Sequence, residues 1–223
     1  MGKNFASLDY HLKELAIARD SRDVRSVLPR VPQSCRRILD VGCGIGQSLL
    51  ALDLPSVTEA HGVDVDGDAV NYGRRESPQL RLAIAPGESL PYPDNHFDYL
   101  FCRVALPYMN IPRALHEFAR VLIPGSTVWL SVHPMAMFRR DVSHAVRGAN
   151  LKSVVYRLYA LANTGGLLVG SQFRYPLNPN RMESYQPAAF IRRALRRARF
   201  TNIRATTERG VALVSAELEG RRG

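Results

Sequence analysis

Short apolar runs alternate with segments of helical periodicity along most of the chain. Ile38, Leu39 and Val41 form one such run, which is typical of a strand buried on both faces. Further strands are predicted at 60–64, 80–84, 97–102, 128–132, 203–207 and 211–218. Helices are predicted at 1–30, from 47 to 54, from 69 onward, and at 112–122, 151–162 and 187–200. This alternation predicts an α/β fold with a mostly parallel sheet.

Three of the helical segments place apolar residues on one face. The first is expected to bury Leu8, Leu12, Leu15 and Ile17 and to stop at Pro29. The segment 112–122 is expected to bury Leu115, Phe118, Ala119 and Leu122, and to end at Pro124-Gly125. The segment 187–200 combines an apolar face with an arginine face of Arg192, Arg193, Arg196, Arg197 and Arg199.

A glycine-rich turn follows the first strand. Gly42, Gly44 and Gly46 alternate there, and glycine permits positive φ and a close approach of the backbone to a ligand. The helical pattern from Gln47 to Pro55 completes a strand, turn and helix, which predicts a nucleotide-type site with N–H groups at a helix N-terminus. A dinucleotide fingerprint is incomplete, because its sixth position is Gln47 rather than glycine.

Two carboxylates refine the ligand that this turn would bind. Asp40 stands before the first glycine, where it would repel a phosphate and attract an ammonium or a sulfonium. The turn therefore favours a cationic ligand without phosphate. Asp64 ends the second strand about 20 residues past Gly42, where a carboxylate accepts both hydroxyls of a ribose.

Three stretches together resemble the class I S-adenosylmethionine-dependent methyltransferases, of the small-molecule, type 11-like group. They are the glycine turn at 37–50, a loop and strand at 85–102, and a helix-to-strand signature at 117–126. The matching motifs lie within residues 35–133. The resemblance implies S-adenosylmethionine as cofactor. It also implies a Rossmann-like seven-stranded sheet, mostly parallel with an antiparallel last strand, with helices on both faces and a small cap after the fifth strand.

The resemblance also implies which residues hold the cofactor. They are Asp40, Gly42, Cys43, Gly44, Gly46, Asp64, Val65, Gly87, Glu88, Cys102 and Arg103. Family members often use the N-terminal segment as a lid, for which Tyr10 and His11 are candidates. Many members carry an aspartate for the adenine amino group where this chain has Pro86. The backbone at Gly87 and Glu88, or the Glu88 carboxylate, is expected to replace it.

Two residues are candidates for contact with the methyl acceptor. His133 follows the fifth strand and is the candidate general base, with a plain turn histidine as the alternative. Tyr108, after the fourth strand, is the second candidate. The metal prediction is none, because no Cys, His, Asp or Glu group has ligand spacing. Asp66 and Asp68 do not form a calcium loop and are expected to cap a helix instead.

The whole chain is predicted to be one methyltransferase domain. Its parts are an N-terminal helical lid (1–34), a cofactor-binding core (35–133), a substrate cap (134–185) and a C-terminal helix and hairpin (186–223). In the cap, a helix from Leu151 is expected to end at 163–166, followed by an arm rich in proline and aromatic residues. The cap favours a partly apolar acceptor, with simple packing over the sheet as the alternative. Arg221-Arg222 is expected to be a frayed tail.

Bulk composition bounds the location and the partners. Lys and Arg number 30 against 20 Asp and Glu, so the formal net charge is +10. Such a charge is typical of nucleic-acid, anionic-membrane or acidic-substrate binding, or of a genome rich in arginine codons. Three separated cysteines favour a reducing, cytoplasmic setting. Neither a signal peptide nor a membrane span is predicted.

The sequence therefore predicts an S-adenosylmethionine-dependent methyltransferase that acts on an O, N or C atom of a small metabolite. One alternative is an RNA or protein methyltransferase that uses the arginine face of the last helix. Another is a non-catalytic binding protein that retains the fold. A nicotinamide oxidoreductase is disfavoured by Asp40 and Gln47. The oligomeric state and the acceptor are not determined by the sequence.

Overall fold

The structure, a computed structural model, describes residues 7–220 and is built on one seven-stranded sheet. The strands are β1 (Arg37–Val41), β2 (Glu59–Asp64), β3 (Arg81–Ile84), β4 (Phe97–Cys102), β5 (Leu122–Val132), β6 (Phe200–Glu208) and β7 (Val211–Leu218). Their order is β3-β2-β1-β4-β5-β7-β6. Strands β1 to β5 pair in parallel, and β7 is antiparallel to β5 and β6. The predicted Rossmann-like sheet is confirmed.

Within residues 7–220, six α-helices accompany the sheet. They are α1 (Leu8–Arg19), α2 (Gly67–Glu76), α3 (Ile111–Val121), α4 (Met135–Arg147), α5 (Leu151–Val169) and α6 (Ala188–Arg197). Asp66 is the N-cap of α2, and its carboxylate accepts the N–H groups of Asp68 and Ala69. The predicted capping role is therefore confirmed for Asp66.

Both faces of the central strands are buried. Leu39 and Leu100 lie in a cluster with apolar residues of α3 and α6, whereas Ile38 and Phe101 lie in a second cluster with Val70 of α2. Successive side chains of a strand point to opposite faces, so a strand covered on both sides has no polar alternation. This explains the apolar runs in the sequence.

The segment after the glycine turn is not the predicted α-helix. Only Leu49–Ala51 forms a short 3₁₀ helix. Pro55 follows soon after and lacks an N–H group, and so short a segment cannot recover the cost of helix nucleation. The N–H groups that line the turn therefore belong to the turn itself and not to a helix N-terminus.

The N-terminal helix differs from its prediction in length and in its buried face. It ends at Arg19, well before Pro29. Leu8 and Leu12 are exposed, whereas His11 and Ile17 are buried. Hydrophobic periodicity therefore predicted the wrong buried face. Helix α1 packs over the glycine turn, and the side chain that it buries there is the polar His11 ring.

Helix α3 ends earlier than predicted, and Pro124-Gly125 does not terminate it. Strand β5 begins at Leu122 directly after α3, so both residues lie within the strand. Gly125 has a φ of 88°, and the pairing of β4 with β5 shifts register along this part of the strand. The positive φ accommodates this irregularity.

The cap contains two helices instead of one. Helix α4 was not predicted, and α5 continues through residues 163–166 to Val169. Asn163 and Thr164 are buried there, and their side chains bond the chain around them. Tertiary contacts thus outweigh the local tendency of these residues to end a helix.

A search of residues 7–220 finds no helix that is both long and apolar enough to cross a membrane. The predicted tail, Arg221-Arg222, lies outside the described residues.

Candidate functional site

The glycine turn lies at the carboxyl end of β1. Gly42, Gly44 and Gly46 have φ values of 84°, 55° and 88°, which explains the alternation of glycines in the sequence. Added Cβ atoms would collide with Ala105 at Gly42 and with the His11 ring at Gly44. The Gly42 N–H donates to Val63 O at 2.8 Å, so the turn is tied to β2. Backbone and neighbouring side chains therefore approach each other too closely for any residue but glycine.

Asp40 is buried, and neither of its carboxyl oxygens has a hydrogen-bond partner in the described part of the chain. Burial raises the pKa of the Asp40 carboxyl well above its usual range; the Arg103 guanidinium opposes this rise and the Asp64 carboxylate adds to it. Leaving such a group without a partner costs free energy. A cationic ligand would stabilise its charged form, as the sequence argument requires.

Asp64 is held in place by backbone N–H groups. Its Oδ2 accepts the Gly44 N–H at 2.8 Å, and its Oδ1 accepts the Asp66 N–H at 2.9 Å. The carboxylate is half-buried and borders the glycine turn. Val65, the next residue, is 48% exposed, so its side chain offers an apolar surface beside the carboxylate. Asp64 is thus positioned for hydroxyl donors at the edge of the turn.

Helix α1 covers this end of the sheet, as a lid would. The His11 ring packs on Gly44, and Tyr10 stands edge-on to it at 5.5 Å between ring centroids. Glu14 forms an ion pair with Arg103 at 3.1 Å, and Arg103 also donates to Arg25 O at 3.2 Å. Arg103 therefore fastens the lid over the ends of β1 and β4.

The predicted adenine loop has a different arrangement from the one expected. The Glu88 carboxylate accepts the Asn110 N–H at 2.7 Å, so it holds the start of α3. An added Cβ at Gly87 would lie 3.0 Å from Val41 and 2.7 Å from the Met109 sulfur. Because Gly87 has no side chain and packs this closely, the loop faces the site with its backbone.

The two cysteines predicted for the cofactor site point their thiols into the core. Cys43 is fully buried, and its sulfur would lie 2.8 Å from a Cβ on Gly62. Cys102 is fully buried at the end of β4. Burial raises the pKa of both thiols well above the ordinary value, so both stay protonated. They contribute to the site through backbone and packing.

Tyr108 and His133, the two residues predicted to contact the acceptor, lie next to each other. Their rings stand edge-on with centroids 5.8 Å apart. His133 Nδ1 is buried without a hydrogen-bond partner in the described structure. Burial lowers the pKa of His133 to about 4, and Asp141 opposes the shift whereas Arg157 and Arg140 add to it. The imidazole is therefore neutral at neutral pH and able to accept a hydrogen bond or a proton.

A strap of the chain fastens the cap to this place. The Ser184 N–H donates to Pro107 O at 3.0 Å, and the Gln186 N–H donates to His133 O at 2.7 Å. The Gln186 side chain in turn accepts the His133 N–H at 2.8 Å. Residues 184–186 thus bridge the chain that follows β4 and the chain that follows β5.

Sequence reasoning missed a polar cluster beneath the cap. Arg157 forms ion pairs with Glu183 at 2.7 Å and with Asp141 at 3.6 Å. The Tyr185 hydroxyl donates to Asp141 at 3.3 Å. These four residues come from α4, α5 and the segment 183–185, so no spacing in the sequence links them. The aromatic arm was the one signal available, and it includes the fully buried Tyr185.

Part of this chain is similar to known proteins. Residues 39–130 match the family model described as a methyltransferase domain. The malonyl-[acyl-carrier protein] O-methyltransferase of Halorhodospira halophila is 34% identical over 119 residues, which are 51% of this chain and 39% of that protein. The O-methyltransferase resE of Aspergillus sclerotiorum is 33% identical over 125 residues, 51% and 45% of the two chains. The chain spans less than half the length of these relatives.

Solved structures share the fold. A chain from the complex between the Haloferax volcanii Trm112 methyltransferase activator and a methyltransferase has a TM-score of 0.64 at 15% identity, with 96% of each chain covered. A SAM-dependent methyltransferase from Aquifex aeolicus has a TM-score of 0.60 at 15% identity, with 92% and 97% covered.

The sheet order, the glycine turn and the two carboxylates define a methyltransferase domain of the Rossmann-like kind. Residues 39–130 match the methyltransferase-domain family model, and this match confirms the resemblance to the class I S-adenosylmethionine-dependent methyltransferases that three sequence motifs predicted. S-adenosylmethionine is the cofactor of this class, as predicted. The unpartnered Asp40 carboxyl and the crowded glycines fit a cationic ligand that lies against the turn.

Proposed function

We propose that the protein transfers a methyl group from S-adenosylmethionine to an oxygen, nitrogen or carbon atom of a small molecule, with a hydroxyl as the favoured acceptor. The observation that carries this proposal is the half-buried, neutral His133, whose Nδ1 is enclosed and whose backbone is hydrogen-bonded to the cap. His133 follows β5 and so lies at the carboxyl edge of the sheet, where the glycine turn and Asp64 also lie.

The cofactor residues would act by binding and orienting. Asp64 would accept ribose hydroxyls, and Asp40 would balance positive charge beside the glycine turn. When bound, S-adenosylmethionine supplies a methyl group on a sulfonium sulfur that departs as a neutral thioether. Because no protonation of the leaving group is needed, the chain can act mainly by alignment and by exclusion of water.

His133 would hold the acceptor and receive its proton. A neutral imidazole accepts a hydrogen bond from a hydroxyl, which orients the oxygen lone pair. Tyr108 stands at the same place with its ring half exposed, so it would contact the body of the acceptor. Both roles are proposals that follow from position, burial and protonation state.

The cap supports a compact and partly apolar acceptor. Its helices pack around an apolar cluster of Tyr156, Tyr159, Ala160 and Tyr185, with Met135, Met137 and Phe138 against it. The relatives named as O-methyltransferases also support transfer to oxygen. Three buried free cysteines in residues 7–220 further support a reducing, cytoplasmic setting.

Calorimetric titration tests the cofactor first. We expect S-adenosylmethionine and S-adenosylhomocysteine to bind and NAD not to bind. Asp64→Ala should weaken binding of both sulfur ligands by about a hundredfold, because two hydrogen bonds to a charged group are lost. Asp68→Ala is the matched control, since this exposed carboxylate borders the same helix end. Unchanged affinity in Asp64→Ala would overturn the ribose assignment.

Transfer of a radioactive methyl group tests the acceptor. A panel of hydroxylated small molecules and a total RNA sample would be incubated with the wild type and His133→Gln. We expect label on a small molecule, with a rate about a hundredfold lower in His133→Gln, as is typical when a general base is removed. Label found on RNA alone would contradict the proposed small-molecule acceptor.

A further inference from the structure

Helix α1 carries a buried polar side chain that makes no hydrogen bond. His11 is 5% exposed, and neither ring nitrogen makes a hydrogen bond within the described chain. Asp66 Oδ2 lies 3.6 Å from His11 Nε2, close enough for an ion pair with a protonated ring but beyond hydrogen-bond distance. A buried polar group without a partner is costly, so its presence here calls for an explanation.

The position of this ring points to the cofactor site. The Nδ1 edge of His11 lies directly on Gly44, where an added Cβ would collide with it. Gly44 is the residue whose N–H group holds the Asp64 carboxylate at 2.8 Å. His11 therefore stands over the middle of the glycine turn, on the side that the lid covers.

The surroundings of the ring determine which of its nitrogens carries the proton. Asp66 accepts two backbone N–H groups with Oδ1, which leaves Oδ2 directed toward His11 Nε2. A carboxylate on that side favours the tautomer with the proton on Nε2. Nδ1, which lies over Gly44, is then a hydrogen-bond acceptor.

We propose that His11 is a further cofactor-binding residue, and that its Nδ1 accepts a hydrogen bond from the α-ammonium group of the methionine part of the cofactor. An ammonium group has three donors and no acceptor, so it needs acceptors around it. Asp40 Oδ1 and Oδ2 and His11 Nδ1 are buried acceptors without partners at this turn. The ribose hydroxyls, in contrast, already have the Asp64 carboxylate.

This assignment rests on the proposed function, since it takes S-adenosylmethionine as the ligand. It adds a residue from α1, which lies outside the stretch matched by the family model. The lid would then do more than exclude water: it would contribute one hydrogen bond to the bound cofactor.

Two ligands and two variants test the proposal by calorimetry. S-adenosylhomocysteine carries the ammonium group, whereas 5′-methylthioadenosine carries the same nucleoside without it. His11→Leu should weaken binding of S-adenosylhomocysteine by about ten- to a hundredfold and leave binding of 5′-methylthioadenosine unchanged. His11→Asn places an oxygen at the position of Nδ1, so it should retain affinity to within about threefold of wild type.

Leu12→Ala is the matched control, since this exposed side chain neighbours His11 on the same helix. Wild-type affinity for S-adenosylhomocysteine in His11→Leu would overturn the proposal, and so would an equal loss for both ligands, which would indicate a general effect on the lid. If the wild type binds neither ligand, the proposed function itself fails. The two failures are distinguishable: in the first the wild type does not bind, and in the second the wild type and His11→Leu bind equally well.

Discussion

At the scale of single residues, burial favours the uncharged forms of Asp40 and His133. Asp40 is buried and His133 is half-buried with its Nδ1 enclosed, and burial raises the pKa of the acid and lowers the pKa of the base. The consequences differ. Asp40 regains its charge when a cation lies beside it, whereas His133 stays uncharged and able to accept a proton. The same physical effect thus favours the neutral form of an acid at one position and of a base at the other.

The lowered pKa of His133 makes a prediction about stability and pH. In the unfolded chain its pKa is the ordinary 6.5, and in the folded chain it is about 4. Between these values the unfolded chain holds a proton that the folded chain lacks. The stability that depends on neutral His133 is therefore fully present above pH 6.5 and is lost as the pH falls toward 4.

His133→Gln removes this dependence. Between pH 7.5 and pH 5, we expect the melting temperature of the wild type to fall further than that of the variant. The extra fall should be about 2–4 °C for each kcal/mol of unfolding free energy that the titration of His133 removes. Differential scanning calorimetry at both pH values measures the difference. Parallel losses in the two proteins would show that His133 titrates alike in the folded and unfolded chain.

At the scale of elements, the cap depends on one buried amide in α5. Asn163 is fully buried; its Nδ2 donates to Glu183 O at 3.0 Å, and its Oδ1 accepts the Phe173 N–H at 2.9 Å. These two bonds hold the arm and the strap on either side of the helix. The strap in turn reaches Pro107 and His133, so the amide contributes indirectly to the shape of the acceptor side.

Asn163→Ala should therefore destabilise the protein substantially. It leaves a carbonyl and an N–H group unsatisfied, at a cost of about 2–4 kcal/mol in the free energy of unfolding. The melting temperature should fall by roughly 5–15 °C. Lys152→Ala, an exposed change in the same helix, is the control and should have little effect. A fall of less than about 2 °C in Asn163→Ala would contradict the assigned role.

At the scale of the whole molecule, the arginine face lies away from the cofactor site. Helix α6 starts after the strap beside His133 and ends near the start of β6, on the opposite edge of the sheet. Arg193 and Arg196 of α6 and Arg204 of β6 are exposed, and none of them makes an ion pair within residues 7–220. The exposure of these side chains indicates a solvated face.

Replacement of Arg193, Arg196 and Arg204 by glutamine tests this interpretation. We expect the free energy of unfolding to change by less than about 0.5 kcal/mol, since exposed side chains without partners are removed. Affinity for S-adenosylhomocysteine should be unchanged. Arg157→Gln is the contrasting variant, because it breaks two ion pairs under the cap and should lower the melting temperature. A large loss of methyl transfer in the triple variant would instead favour a polyanionic acceptor on this face.

Local pattern and motif spacing were sufficient for the frame of the molecule. Apolar runs marked the strands because a sheet covered on both faces needs them, and alternating glycines marked the turn because only glycine fits its positive φ values and close contacts. The family and its cofactor followed from three motifs, since the order and spacing of motifs are properties of the chain itself.

Tertiary structure alone decided what lies over the turn and under the cap. The burial of His11, the second cap helix and the Arg157 cluster depend on residues that are far apart in the chain. Hydrophobic periodicity mispredicted the α1 face, because it records which side chains are apolar but not which surface each element meets. It also predicted a helix after Gly46, which the short segment before Pro55 does not form. The burial of the His11 ring has no local signal, because its environment comes from other elements.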